Sequence, residues 1–592
     1  MPTHRKKAHN KGQMTDRFGR LPFAAFMDGL RGRLAADRRP LIAMAGLMVL
    51  IVAAFILART PRNDVPAAPP PTVSPEVTQA PTPSPTPPPA HVRFQVNPVD
   101  EVRPDRDIWQ YRCGVFAGGK RVEGPLPVDP IRFEEGSRYT ELQGIVTFRG
   151  DNFRQNAAYG TAKLENTGFR QLWSVKIGAI DSGYAVWSGV GWTGQPVMVR
   201  WPDALRRSMN LREEYREKDG MVEVIYGTLD GNIYFMDLET GEFTRNPLHL
   251  GFPIKGSVSI DPRGYPLLYV GQGISTANGK RGKIGWRVYS LLDQGELFFL
   301  NGHDKASPRD HGAFDGSCIV HAGSDVVLQG GENGLMYAVR LNAAFDIDAP
   351  SVAVSPQVAA YRYSSAASPE LGIENSVAAY GRYIWFADNS GLLTCLDLDT
   401  LAPAWLFYVG DDTDASVALD LEDDGTLALY TVNEIDRRGE SGKCTVRRID
   451  AATGRQDWQF TIQCQSDGTN GGGGFASPAI GQHTLGDYVY FNICQTGNGG
   501  TLLCFEKRTG RVVWRCPTGN SSWSSPVLVY RPDGTGVLVL CTLDRVRAYD
   551  PLTGKRLSEA RIEGKVEGSP AVFGDILVVG TRSQYIYGIR LT

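Results

Sequence analysis

The chain is nearly without net charge: 62 lysines and arginines stand against 64 aspartates and glutamates, a formal balance of −2. Such a chain has no general attraction for nucleic acid or an anionic lipid surface, and nucleic-acid binding is set aside. Cysteine is missing where a lipoprotein would need it. The only long uncharged apolar run near the start is 41–58, and the first cysteine is Cys113, so no thiol follows that run closely enough for lipid attachment. Glycine, by contrast, is abundant at 67 of 592 residues, and aromatics reach 10%. Many turns between strands with buried aromatics fit that composition better than helices do.

The first 39 residues hold ten lysines and arginines against three acids, and the eighteen residues of 41–58 that follow carry no charge. That run is long enough to cross a bilayer core. Its leader is longer and more basic than that of a cleaved signal peptide. It reads as one transmembrane helix, single-pass, with residues 1–40 cytoplasmic by the positive-inside rule and the rest of the chain extracytoplasmic at the cell membrane. Residues 61–89 then contain twelve prolines. A tract of this kind builds no core and extends as polyproline II, so 59–90 is a disordered stalk with a reach of roughly 90 Å.

Downstream, one pattern recurs: "DLETGEF" from Asp237, "DLDTLAPAW" from Asp397, "DAATGRQDW" from Asp450, "EKRTGRVVW" from Glu506 and "DPLTGKRL" from Asp550. Each copy follows a β-type run. Weaker copies place Leu291 and Arg340 at the Asp position, and the last strand reaches it at Arg590. Eight units spaced 40 to 57 residues apart, each with several short strands, are the mark of propeller blades. In each unit a strand, often led by Ser-Pro, is followed by a second and third, then the turn and an outer strand carrying Trp. Gly supplies the positive φ of the turn, and Asp accepts hydrogen bonds from its backbone. The eighth unit has no outer strand, whereas "ENTGFRQLW", ending at Trp173, is a turn and outer strand with no unit of its own. The fold class is therefore all-β: an eight-bladed β-propeller over 146–592, closed by an N-terminal outer strand. Closure removes the exposed edges that invite aggregation. Residues 91–145 show no repeat and form either a small cap or an arm on the ring.

The D-x-x-T-G-x-x-x-W repeats, with "FRGDNFRQNAAYG" (148–160) ahead of the first outer strand, resemble the pyrroloquinoline-quinone-like propeller family. That family holds both quinoprotein alcohol dehydrogenases and a non-enzymatic propeller lipoprotein of outer-membrane assembly. For the dehydrogenases the resemblance implies adjacent cysteines bonded over the quinone, a calcium ion held by carboxylate and amide, and an Asp base. No two of the nine cysteines here are adjacent, and no Glu/Asn/Asp set matches the metal site residue by residue. No catalytic residue, cofactor or resident metal is therefore assigned. The expected function is a membrane-anchored binding or scaffold module for protein or a cell-envelope polymer such as the cell wall. The alternative is a quinone-dependent oxidoreductase.

Binding should come from loops at one rim. The candidates are His303, Asp304, Asp310, His311, Asp411, Asp412, Asp414, Asn470 and two aromatics expected at the surface, Phe475 and Trp523. The segment 301–325 also holds Asp315, Cys318 and His321, but its spacing fits no zinc pattern and reads as a solvated polar loop. Arg149-Gly150-Asp151 spells an integrin-type tripeptide and reads instead as a turn with an Arg–Asp contact. Cys444 and Cys464 lie symmetrically about Gly454, as do Cys504 and Cys516 about Gly510. Each pair should face across the hairpin, either as a disulfide or as reduced, buried thiols, with Cys494 competing for Cys504.

Overall fold

The computed structural model describes residues 94–592 apart from 125–128, 193, 437–438, 467–470 and 498. The expected cytoplasmic segment, membrane helix and stalk lie outside the described residues, and so does Asn470. No helix among the described residues is long and apolar enough to cross a membrane.

The described residues form one compact unit, an eight-bladed propeller whose blades are antiparallel sheets. Blade 5 shows the plan, running outward from the axis as Ala418–Leu421, Leu427–Val432, Ser441–Asp450 and Gln456–Gln465. The turn chemistry read from the repeat is present. Asp450 Oδ1 accepts from the N–H groups of Ala452 and Thr453, both at 2.9 Å, and Gly454 sits at φ 69°. The same bonds recur at Asp237 and Asp550.

Each motif tryptophan closes over the turn of the following blade. Trp458 Nε1 donates to Lys507 O at 2.7 Å and its ring covers Gly510, where an added Cβ would come within 2.5 Å. Trp405 and Trp514 do the same over Gly454 and Gly554. The ring closes with the same lock. Phe169–Lys176 pairs antiparallel with Tyr585–Leu591 as the outer strand of blade 8, and Trp173 donates to Leu238 O of blade 1 at 2.8 Å.

Two N-terminal segments do work that the repeats do not. The first, left open between cap and arm, is an arm. Arg112–Ala117 and Lys120–Val122 extend the outer edge of blade 3, with Val115 opposite Tyr361. The same arm reaches blade 4 through Phe133 N–H to Gly381 O and Arg132 to Asp399, and blade 5 through Val99 N–H to Thr453 O.

The second runs from Gly144 into the family-like entry of 148–160, crosses the axis and caps the inner edge of every blade. Gly144 pairs with Val199 of blade 1. The carbonyls of Val146, Asn152, Phe153, Gln155 and Ala157 accept from inner-strand N–H groups of blades 2, 4, 5, 6 and 8. Arg154 reaches Ser317 O of blade 3, and Asn156 exchanges two bonds with Leu528 of blade 7. Backbone groups that would line an open channel are thereby paired. Arg149 and Arg154 are fully buried. The tripeptide does form a turn, with Asp151 Oδ1 accepting from the N–H groups of Phe153 and Arg154. The expected Arg–Asp contact is replaced: Arg149 turns to the carbonyls of Pro478 and Pro526, each at 2.8 Å.

The cysteine register differs from expectation by two residues. Asp450 N–H bonds to Arg455 O, which puts the centre of the turn before Gly454, and a bulge at Arg448/Ile449 adds a further slip. Cys444 therefore faces Ile462, and Cys464 faces Gly442. A two-residue offset keeps both on one face. Cys504 likewise faces Trp514 and Cys516 faces Leu502, while Cys494 faces Gly500 and so does not compete for Cys504. None of the nine cysteines is joined in a disulfide.

Candidate functional site

Loops from outer to next inner strands share one face with the turns between second and third strands. Near the axis, at the level of the Ser-Pro positions, this face narrows onto a belt of serines. The N–H groups of Ser317, Ser376, Ser416, Ser477 and Ser525 each donate to the serine Oγ of the next blade, at 2.9 to 3.1 Å. In these five blades the Ser that leads the inner strand thus joins it to the next blade.

The first cluster on this face is built around a buried cation. Lys255, on the loop leaving blade 1, points its ammonium at Asp315, with Glu332 Oε1 at 3.5 Å and Glu374 Oε2 at 3.8 Å. Burial alone would lower the Lys255 pKa, but the three carboxylates hold it well above the ordinary lysine value. The ammonium also lies 4.1 Å over the ring of Trp192. His311 Nδ1 meets Glu332 Oε2 at 2.8 Å, and that bond raises the pKa of the imidazole. Asn389 donates to Glu374 Oε1 at 2.6 Å.

A second carboxylate group, Asp412, Asp414 and Glu434, comes from the loop entering blade 5 and a turn within that blade. It is close enough to the first for Asp414 to feel Glu374 and Lys255. Burial, then repulsion from neighbouring carboxylates, pushes all three carboxyls well above the usual range; for Asp414 the repelling neighbours are Glu374, Glu332 and Asp315 of the first cluster. Beside them is an aromatic floor. Trp523 lies 5.0 Å from Phe475 and 5.6 Å from Trp192 between ring centroids. Its other neighbours include Lys565, 5.0 Å over the ring, and Lys565 and Arg582 both pair with Glu567. Cys494 completes this small apolar cluster. The Cys444 thiol, raised first by burial, lies against those of Cys464 and Cys494.

Of the residues picked from the sequence, His311, Asp412, Asp414, Phe475 and Trp523 belong to these clusters. The two aromatics are not at the surface as expected, being 4% and 8% exposed, because each is covered by other rings. His303 pairs with the exposed Asp310 at 2.7 Å on the rim, and Asp304 caps its own loop through Ala306 N–H. Asp411 is 1% exposed and accepts from Asp412 N–H, a loop-shaping role. Sequence reasoning missed Lys255, Glu332, Glu374, Glu434 and Trp192. Glu332 and Glu434 did leave a trace, as acids just after a second strand in "LQGGEN" and "YTVNEI".

The lining can be tested against the quinone of the resembling dehydrogenases. That cofactor is planar and carries three carboxylates. Here the rings that would stack on it are already covered, Trp192 by the Lys255 ammonium and Trp523 by Phe475 and Trp192. The neighbouring six carboxylates face one lysine, which would repel an anion. The residues present do not fit the quinone.

Residues 442–532 match the family described as outer membrane protein assembly factor BamB. Among solved structures, quinohemoprotein alcohol dehydrogenase from Comamonas testosteroni is 13% identical, covers 77% of this chain and 82% of its own, and has a TM-score of 0.50. BamB from Moraxella catarrhalis is 16% identical over 71% of this chain and 99% of its own, with a TM-score of 0.42. The β-alanine-activating enzyme of Danio rerio is 30% identical over 97 residues, which span 16% of this chain and 8% of that protein. At these identities the structural likeness speaks for the fold alone.

Proposed function

We propose that this chain, a propeller of pyrroloquinoline-quinone-like repeats, is a binding module for a protein or cell-envelope polymer. Residues 41–58 hold it at a membrane, residues 1–40 are cytoplasmic, and the stalk of 59–90 carries the propeller outside. The observation that supports binding over redox catalysis is the aromatic floor, its rings covered by one another and by Lys255, beside a carboxylate-rich lining. Nor do the clusters pair a nucleophile with a base and its orienter.

Two measurements check this reading. The purified protein, reconstituted with pyrroloquinoline quinone and calcium, is expected to retain no quinone absorbance and to reduce no dye with alcohols or sugars. Stoichiometric quinone with substrate-dependent dye reduction would overturn it in favour of the oxidoreductase. For topology, protease added to intact cells stripped of their wall should cut the stalk and release a folded propeller. Cleavage of the first forty residues with the propeller protected would reverse the orientation.

A further inference from the structure

The outer edge of blade 3 carries a group of cations that no carboxylate answers. The arm's strand Arg112–Ala117 pairs there with Gln357–Ser364, setting Arg112 opposite Ser364, Gly114 opposite Arg362 and Phe116 opposite Ala360. The arm then turns back and brings Arg121 opposite Phe116. Side chains alternate across a strand, so Arg112, Gly114 and Phe116 share one face with Arg362 and Arg121. That face borders a hollow of about 180 Å³, walled on its other side by Pro308 and Leu371. No aspartate or glutamate lines it.

Gly114 is what lets these charges converge. With no side chain there, the Arg121 guanidinium lies over the strand, so near that an added Cβ would stand 3.2 Å from its Nε. It donates to Cys113 O at 3.2 Å. Arg362, facing Gly114, holds its guanidinium 5.8 Å from the centre of the Phe116 ring. Elsewhere arginines of this chain are answered by acids: Arg263 and Arg448 each pair with two carboxylates. Arg112, Arg121 and Arg362 form no ion pair among the described residues, although acids outnumber lysines and arginines, 64 to 62. Three like charges around one hollow repel, and a cleft lined by a single sign of charge concentrates counter-ions.

We propose that this hollow binds a phosphate group, free or carried as a monoester. One guanidinium satisfies a planar carboxylate with two parallel hydrogen bonds. Three guanidiniums around one hollow suit instead a tetrahedral anion of higher charge, whose oxygens point in several directions. The volume is well below the roughly 300 Å³ of pockets that enclose a whole small molecule. It admits the phosphate and leaves the rest of a ligand outside. The site goes beyond the binding-module reading and does not rest on it. Quinone uptake would overturn that reading without touching the arginines, and absence of phosphate binding would leave it standing.

The test is calorimetric titration of the full-length protein, in low-salt buffer, with sodium phosphate and with glycerol 3-phosphate. The tighter binder of the two shows whether the free anion or the ester is the source. One site per chain is expected, weakening as salt is added, and sodium acetate should bind at least about tenfold more weakly. Arg112→Gln and Arg362→Gln should each weaken phosphate binding by about tenfold or more, since each removes a charged donor. Both should stay folded, because these side chains are exposed. Gly114→Glu keeps all three arginines and places an acid among them, and it should abolish binding. Arg170→Gln, an exposed arginine on the outer strand of blade 8, should bind as the parent does. Phosphate should also raise the unfolding temperature of the parent and not of Arg112→Gln or Arg362→Gln. No saturable binding of phosphate or its ester in the millimolar range would overturn the site. So would binding that survives in both arginine variants, or acetate bound as tightly as phosphate.

Discussion

Arg154→Ala is expected to destabilise the propeller by about 4 kcal/mol or more, or to prevent folding altogether. The guanidinium is fully buried. It donates to Val377 O at 2.9 Å, Phe148 O at 2.7 Å and Ser317 O at 2.9 Å. Alanine would leave these carbonyls unpaired on the axis and open a cavity the size of the side chain. Blades 3 and 4 would lose a shared partner in one step. Arg154→Lys keeps the charge but not the planar fork, and should lie between parent and alanine. Urea unfolding followed by tryptophan fluorescence measures the loss. A change below about 1 kcal/mol in Arg154→Ala would mean that the entry segment lies on the ring without holding it.

Deleting residues 166–178 should abolish cooperative unfolding and drive aggregation. The deletion strips the outer strand from blade 8, leaving the edge of Tyr585–Leu591 unpaired. It also removes Trp173, whose ring covers Gly241 and whose Nε1 locks blade 8 to blade 1. An exposed, largely apolar edge is a template for pairing with other chains. Light scattering and a thermal melt report both effects. A soluble deletion variant with the parent's transition would show that the ring is held without its closing strand. Trp173→Ala separates the two contributions, since it removes the lock and keeps the strand.

These expectations rest on different kinds of information in the chain. The blades were legible in the sequence because the turn is local: Asp450, Thr453 and Gly454 bond within five residues, so the pattern recurs wherever the turn does. Closure was legible by counting, since an outer strand without a unit and a unit without an outer strand complete each other. The cysteine pairing failed on a detail that no spacing carries, a bulge at Arg448/Ile449 and a turn centred before its glycine.

The amino-acid sequence alone determined the repeat, the number of blades and the way the ring closes, since these follow from turn residues and strand order within each unit. Only the tertiary structure decided what the loop face is made of. Lys255, on the loop leaving blade 1, meets Asp315 and Glu332 of blade 3 and Glu374 of the loop entering blade 4, and no spacing along the chain brings such residues together. Tertiary structure also decided that Phe475 and Trp523 are buried, because rings from other loops cover them. It turned the entry segment into an axial plug for the same reason: its hydrogen-bond partners are the inner edges of eight blades, which converge only once the ring has closed.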